Sequence, residues 1–232
     1  MKTKFTTYNL RLITMVSVLL VIGYQFLVVN AQTLNPVVIT WQANNFYPAD
    51  FGGRALPSPG TPVTLSAEII QNNKLLDLSQ ATFLWYADET LFARGVGLKE
   101  TTLKINKSPG DYSFVRVAVQ INNSSFENSL RIYAQAPTVV IEGNFPNQTI
   151  RAGSQTLLRA MPYFFNVSSL ADLGFSWLIN DKIQNSSQDN QLLLSIGPLQ
   201  GNSDAAAQIS VAVQNIVNAL ETASNRIILN IR

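Results

Sequence analysis

The sequence predicts an all-β protein with two similar β-sandwiches in tandem, placed after a hydrophobic helix at the N-terminus. Three observations predict this organisation for the chain of 232 residues. An apolar run lies near the N-terminus, and short runs rich in Val, Ile, Thr, Phe and Tyr alternate with clusters of Gly, Pro, Asn and Ser. In addition, one half of the remaining chain repeats the other. The alternation of these runs with turn-forming residues is typical of short strands joined by turns.

The first 31 residues predict an export signal. They contain three basic residues and no acidic residue, with an apolar run from Leu12 to Val29. Apolar residues at Val29 and Ala31 favour cleavage before Gln32. The alternative is a retained membrane anchor, because a run of 18 residues forms a helix of about 27 Å, enough to span a bilayer. Either outcome predicts that the rest of the chain is exported to the periplasm or the cell surface.

The composition excludes most familiar catalytic chemistries. Hydrophobic residues make up 47% and charged residues 13% of the chain, and there is no Cys and no His. Disulfides, thiol nucleophiles, Ser-His-Asp triads and most zinc sites are therefore excluded. The net charge is +2, but three basic residues belong to the export segment, which leaves 13 basic against 14 acidic residues. We therefore expect no nucleic-acid partner, no cofactor and no enzymatic activity.

An internal repeat divides the exported part into two units. Three blocks recur in the same order at offsets of 92 to 94 residues, which predicts one sandwich over 32–135 and a second over 136–232, after a segment 1–31 that is the signal or anchor. The matched pairs are GTPVTLSA from Gly60 and GSQTLLRA from Gly153, FLWYAD from Phe83 and FSWLIN from Phe175, and VRVAVQ from Val115 and ISVAVQ from Ile209. A short linker at 134–137 with a proline predicts a semi-rigid tandem.

Each repeat predicts six strands. Alternation with a period of two places Val115, Val117 and Val119 on one face of a strand that packs against the facing sheet. The predicted strands are 37–42, 63–69, 82–87, 101–105, 112–120 and 127–134 in the first repeat, and 138–142, 155–161, 175–179, 191–196, 207–214 and 223–231 in the second.

These motifs resemble a known superfamily. GTPVTLSA, FLWYAD and SPGDYSFVRVAVQINN are similar to the strands of PKD and related bacterial Ig-like domains, in which an aromatic-x-Trp strand precedes a Pro-Gly-x-Tyr turn and a Val-rich strand. The resemblance implies Ig-like sandwiches with Trp85 and Trp177 at their centres. The second repeat lacks the PGDY turn, and both repeats lack the acidic-Gly turn after the Trp strand. Because this superfamily serves adhesion, spacing, glycan binding and assembly, the resemblance implies a fold and no single activity.

The long connection from Trp41 to Gly60 is the candidate binding site. It has no equal in the second repeat and concentrates aromatic residues and one arginine among glycines and prolines. Such a loop can form a platform for a sugar or a protein. The alternative, which three prolines favour, is that the rings pack against the sandwich and cover its apolar surface. The candidate residues are Trp41, Phe46, Tyr47, Phe51 and Arg54.

Carboxylate chemistry is the remaining catalytic or metal-binding alternative. Asp88 and Glu89 form the closest acidic pair, but neighbours on an extended chain point to opposite faces, and the pair follows the Trp strand where a hairpin turn is expected. Acidic and amide residues at Asp172, 180–181, 189–190 and Asp204 offer oxygen ligands to calcium. They lack the spacing of a calcium loop, so we predict polar turns and no metal site.

The sequence therefore predicts an exported, non-enzymatic cell-envelope protein that acts as a binding or structural module. Its expected partner is a protein or a glycan at the envelope, and the membrane itself if residues 12–29 remain as an anchor. The alternative function is a membrane-anchored assembly subunit of a surface appendage or secretion apparatus, with neighbours engaged through exposed strand edges. A carboxylate-based glycan hydrolase is the third class.

Overall fold

A computed structural model describes residues 36–184, 190–198 and 205–232, and the predicted export segment lies outside these ranges. Pro36–Arg232 form one compact unit. Within the described ranges, no helix has the length and apolar character needed to span a bilayer. The regular secondary structure of the described residues consists of strands, apart from short 3₁₀ turns at Pro146–Gln148 and Leu170–Asp172.

The first sandwich extends from Val37 to Tyr133. One sheet contains β1, β2 and β6, with β3 paired to the end of β2, and the facing sheet has the order β5-β4-β7-β8. All of these pairs are antiparallel. The strands are β1 Val37–Ala43, β2 Pro62–Gln71, β3 Lys74–Leu75, β4 Thr82–Ala87, β5 Thr90–Val96, β6 Glu100–Lys104, β7 Tyr112–Ile121 and β8 Ser124–Tyr133.

The second sandwich extends from Thr138 to Ile231. One sheet has the order β14-β11-β9 and the other the order β10-β16-β15-β12-β13. The pair β10 and β16 is parallel and the other pairs are antiparallel. The strands are β9 Thr138–Glu142, β10 Thr149–Ile150, β11 Gln155–Tyr163, β12 Leu173–Ile179, β13 Lys182–Ile183, β14 Gln191–Ser195, β15 Ala205–Asn215 and β16 Thr222–Ile231.

Each sandwich has its own hydrophobic core, built from the inward faces predicted by alternation. The alternating valines of β7 and the corresponding residues of β15 are buried, as are Trp85 and Trp177. One core draws on residues from Val37 to Ala134 and the other on residues from Val139 to Ile231. The domain boundary between residues 135 and 136 stays a prediction.

The two copies share strand register as well as sequence. Trp85 lies opposite Val117, and Trp177 lies opposite Val211, at the same position of the repeat. The glycine that opens each first matched block has a positive φ, 91° at Gly60 and 70° at Gly153. A side chain with a Cβ is strained in this conformation, which explains the glycine in both copies.

A matched asparagine in the last strand of each sandwich bridges its two sheets. Asn128 Nδ2 donates to the Val37 carbonyl at 2.6 Å, and Asn225 Nδ2 donates to the Val139 carbonyl at 2.8 Å. This pair lies outside the three matched blocks, because the residues around it differ between the copies.

The structure contains all twelve predicted strands, with ends shifted by a few residues, and four further strands, β3, β5, β10 and β13. The omission of β5 has a clear cause. Its sequence TLFARGV lacks apolar alternation, and its register with β4 shifts at a bulge between Trp85 and Tyr86.

Candidate functional site

The predicted binding residues separate into two groups in the structure. Trp41 is half-buried on β1 and opposite Leu65 of β2, and the Arg54 guanidinium carbon lies 4.4 Å from the centroid of the Trp41 ring. This cation–π pair belongs to the first sandwich alone. The other three residues, Phe46, Tyr47 and Phe51, lie where the loop meets the second sandwich.

A short β-bridge connects the loop to the second sandwich. The Phe46 N–H donates to the Phe165 carbonyl, and the Phe164 N–H donates to the Phe46 carbonyl, each at 2.7 Å. Phe164 has a φ of +66°, an unfavourable conformation for a bulky side chain. Because the side chain of Phe164 is buried and its N–H is bonded across the bridge, the surrounding contacts hold this strained backbone in place.

An aromatic cluster surrounds the bridge. The Phe51 ring lies 5.4 Å from Tyr163 and 5.9 Å from Phe164, both in edge-to-face geometry, and 6.0 Å from Tyr47. Burial raises the pKa of Tyr163, and the carboxylates of Glu142 and Asp50 raise it further. Tyr163 therefore stays a neutral phenol in ordinary conditions.

A buried polar network forms the third contact between the sandwiches. Glu221 is only 7% exposed. Its Oε1 accepts from the Asn166 N–H at 2.8 Å and from the Ser58 hydroxyl at 3.3 Å, and its Oε2 accepts from Asn215 Nδ2 at 2.6 Å. Because Ser58 belongs to the first sandwich, one carboxylate bonds residues of both. A buried carboxylate needs such partners to offset the loss of hydration.

Asn166 extends this network into the loop. Its Nδ2 donates to the Pro59 carbonyl at 3.0 Å, and its Oδ1 accepts from the Thr61 hydroxyl. We call the β-bridge, the aromatic cluster and the Glu221 network together the joint. A groove lined by residues of the joint region, including Asn45, Tyr47, Val167 and Ser168, runs beside it.

The Trp41–Gly60 loop therefore packs against the sandwiches, which is one of the two roles that the sequence predicts for it. Phe46, Tyr47 and Phe51 pack against protein, as the covering interpretation expects, although the surface that they cover extends to the second sandwich. A ligand-binding role for the five candidate residues stays a prediction, and Trp41 with Arg54 is the pair that lies outside the joint. The Glu221 network was missed, because it joins residues such as Ser58 and Glu221 that are 163 positions apart.

The acidic pair Asp88 and Glu89 forms the two-residue turn between β4 and β5. Both residues have positive φ, 48° and 64°, as in the tight hairpin turns that match strand twist. Burial opposes the ionisation of Asp88, but the Phe114 N–H and Lys107 outweigh it and lower the pKa of this carboxyl. Asn180 takes the same position in the second copy and accepts from the Gln208 N–H. The carboxylate thus has a turn-forming role that an amide also fulfils.

The other acidic residues do not cluster in the described ranges. No group of three or more potential metal-ligating side chains comes together in the residues that the structure describes. Asp172 accepts bonds from the N–H and hydroxyl of Ser169 at the start of a 3₁₀ turn. Asp189 and Asp204 lie outside the described residues.

No family model and no curated protein matches the chain, whereas solved structures of similar fold do. Three N-terminal domains of the highly immunogenic outer capsid protein (Hoc) of bacteriophage RB49 are 16% identical, with 84% of this chain and 58% of that chain covered and a TM-score of 0.44. Fibronectin(III)-like modules of Clostridium thermocellum CbhA are 12% identical, with coverages of 84% and 93% and a TM-score of 0.30. Murine CEACAM1b is 15% identical, with coverages of 84% and 100% and a TM-score of 0.28.

These likenesses concern the fold alone. The described residues form two tandem Ig-like β-sandwiches, and the chain spans 58% of the length of the phage capsid fragment.

Proposed function

We propose that the protein is an exported, non-enzymatic, PKD-like module of the cell envelope that holds two Ig-like sandwiches in a fixed relation and binds a protein or glycan partner. The observation that carries this proposal is the joint. A β-bridge, an aromatic cluster and a buried carboxylate network connect the same two sandwiches. A module that presents a binding surface, or that spaces two neighbours, needs this kind of rigidity.

The chemistry of the chain supports a module without catalysis. The whole sequence lacks His and Cys, and Asp88, Asp172 and Glu221 each accept hydrogen bonds that shape turns or the joint. The export component rests on the predicted signal in residues 1–31, which is either cleaved or kept as an anchor.

The proposal is tested with the tagged full-length chain in its native host. Photo-reactive residues are placed one at a time at exposed positions of both sandwiches. For a protein partner, we expect cross-links that give an adduct of constant mass with an envelope protein. For a glycan partner, we expect the chain to be retained on an envelope glycan. Recovery of the chain in the cytoplasmic fraction would contradict the proposal. Release of reducing sugar from a glycan panel by the purified chain would contradict its non-enzymatic part and favour a hydrolase.

A second candidate function, an assembly subunit, is favoured by one strand edge. β14 lies at the edge of its described sheet, and its sequence QLLLS carries no charge. Leu193 is 59% exposed and lies directly opposite the exposed Leu157 of β11. The corresponding strand of the first sandwich, β6, carries Glu100 and Lys104 at its ends. Charged residues protect an edge against pairing with another chain, and β14 lacks them.

The oligomeric state of the purified chain tests this second function. Leu193→Lys places a charge on the β14 edge and is expected to convert an assembled form into a monomer in light scattering. Thr102 holds the corresponding position on β6, so Thr102→Lys is the matched control and is expected to leave the assembly unchanged. A wild-type chain that is monomeric at high concentration would exclude the assembly function through this edge.

A further inference from the structure

The outer face of the sheet β5-β4-β7-β8 carries a concentration of aromatic and arginine side chains. Outward positions alternate with the buried positions along β7 and β8, and these strands pair Tyr112 with Tyr133 and Phe114 with Arg131. Tyr86 of β4 lies beside Arg116 in the next row. We call this surface the tyrosine–arginine face, and its members are Tyr86, Tyr112, Phe114, Arg116, Arg131 and Tyr133.

Ring contacts fix the arginines of this face. The Arg131 guanidinium carbon lies 4.9 Å from the Tyr112 ring centroid, and that of Arg116 lies 3.9 Å from the Tyr86 ring centroid. The Tyr112 and Tyr133 rings are 5.5 Å apart and remain 40% and 52% exposed. Stacking on a ring orients a planar guanidinium in advance, so less entropy is lost when it binds a ligand.

The two stacked arginines differ in their charge partners. Arg116 lies 3.6 Å from a Glu89 carboxylate oxygen and 3.4 Å from a Glu127 carboxylate oxygen. Arg131 makes no ion pair with any residue that the structure describes. Its charge is therefore available to an external group, and a guanidinium fork is suited to a carboxylate, which it can bind through two parallel hydrogen bonds.

The second sandwich shows that the fold does not require these side chains. At the repeat offset of 94 residues, Ala206 occupies the position of Tyr112. The strand register then places Ile228 at the position of Arg131 and Asn230 at the position of Tyr133. The same register equates Phe114 with Gln208 and Arg116 with Ser210. The second copy thus forms the same strand pair with none of the rings or arginines at these positions.

We propose that the tyrosine–arginine face is a docking site for an acidic protein segment, with a partner carboxylate on Arg131 and apolar partner atoms on the rings of Tyr112 and Tyr133. This inference rests on the proposed function and names the surface and the chemistry of the partner. Tyr and Arg are the residues in which binding energy concentrates at protein interfaces. A positive charge that forms no ion pair with a described residue and lies beside half-exposed rings is complementary to an acidic side chain next to an apolar one.

The test is a selection of random 12-residue peptides displayed on phage against the full-length chain. Peptides enriched on the wild-type chain are then measured individually by titration against each variant. We expect the enriched peptides to contain Asp or Glu beside an apolar residue, and Arg131→Ala or Tyr133→Ala to weaken their binding by about tenfold or more. Arg131→Lys is expected to weaken binding as well, because lysine keeps the charge and loses the planar fork.

Matched controls come from the second sandwich. Ile228→Ala and Asn230→Ala change the equivalent positions and are expected to leave the affinity within about twofold. The altered side chains of Arg131 and Tyr133 are exposed, so the variants are expected to keep the wild-type melting temperature, which is checked first.

Three results would overturn the inference: no peptide enrichment, enriched peptides without acidic residues, or equal affinity for the wild-type and the Arg131→Ala chain. Binding of polygalacturonate that depends on Arg131, without any peptide binding, would also overturn it, since the occupant would then be an acidic glycan. A chain that is exported and cross-links to a partner through another surface retains the proposed function while this inference fails.

Discussion

The two sandwiches share an interior and differ at the surface. Trp85 and Trp177 occupy the same position of the repeat, and the strand opposite each one has the same register. The outer face of β7 and β8 carries two tyrosines and two arginines, whereas the equivalent face of β15 and β16 carries no tyrosine and one arginine, Arg226. The difference shows that the repeated fold depends on the inward-facing side chains. The outward-facing side chains differ between the copies without changing the fold.

The turns differ as much as the faces. In the first sandwich, β7 and β8 are joined by Asn122 and Asn123 alone, whereas the corresponding connection in the second sandwich is the longer loop 216–221. That loop ends in Glu221, which bonds Ser58 of the first sandwich. The first sandwich contributes the long Trp41–Gly60 connection to the same joint. Each copy therefore supplies a segment that the other lacks.

The largest expected effect comes from removing either central tryptophan. Trp85→Ala or Trp177→Ala leaves a cavity in a fully buried site and is expected to lower the free energy of unfolding by about 3–5 kcal/mol. Chemical denaturation monitored by circular dichroism measures this loss. A loss below about 1 kcal/mol for either variant would contradict a core position for that ring.

A smaller loss is expected when the joint loses its carboxylate. Glu221→Ala leaves the Asn166 N–H, the Asn215 amide and the Ser58 hydroxyl without their acceptor, which is expected to cost the sandwich that unfolds first about 2–3 kcal/mol in urea unfolding. Glu100→Ala is the control, because Glu100 is exposed on β6, and it is expected to change stability by less than about 0.5 kcal/mol. Equal losses for the two variants would show that the network adds nothing to stability.

The two tryptophans also differ in one hydrogen bond. Trp85 Nε1 donates to the Leu98 carbonyl at 3.0 Å, whereas the buried Trp177 Nε1 has no acceptor among the described residues. Trp85→Phe is therefore expected to cost about 1 kcal/mol more than Trp177→Phe, because only the first substitution breaks a bond. Equal costs in paired denaturation curves would contradict this difference.

The smallest expected effect depends on pH and compares the turn at Asp88 with its uncharged counterpart at Asn180. The folded pKa of Asp88 is lowered, so its contribution to stability is present above the ordinary carboxyl pKa of about 4 and is lost as the pH falls through the lowered value. Asp88→Asn removes the ion pair with Lys107, which lies 2.9 Å away, and is expected to lower stability at pH 7 by a few tenths of a kcal/mol.

Thermal unfolding across a pH series checks this prediction. The difference between the wild-type and Asp88→Asn chains is expected to shrink as the pH is lowered from about 5 to about 2. Asp111→Asn, at another exposed turn residue, is the control for a general charge effect. A difference that does not change with pH would contradict the assigned role of Asp88.

The sequence was sufficient to predict the two repeated sandwiches and the strands in which apolar and polar residues alternate. The matched blocks around Trp85 and Trp177 identified both sandwiches, because buried positions restrict residue type in both copies. The joint was beyond prediction from sequence, since it depends on pairs such as Phe46 with Phe165 that no local pattern connects. The tyrosine–arginine face had a detectable signal, because Tyr112, Phe114 and Arg116 alternate along β7 and their counterparts at offset 94 are Ala, Gln and Ser.

Calorimetric unfolding of the full chain tests most directly the central claim that the joint makes the two sandwiches one unit. We predict a single cooperative transition for the wild-type chain and two separate transitions for Glu221→Ala, because the loss of the shared carboxylate uncouples the sandwiches. Two independent transitions in the wild-type chain, unchanged in the variant, would contradict the claim and return the Trp41–Gly60 loop to the role of a free binding surface.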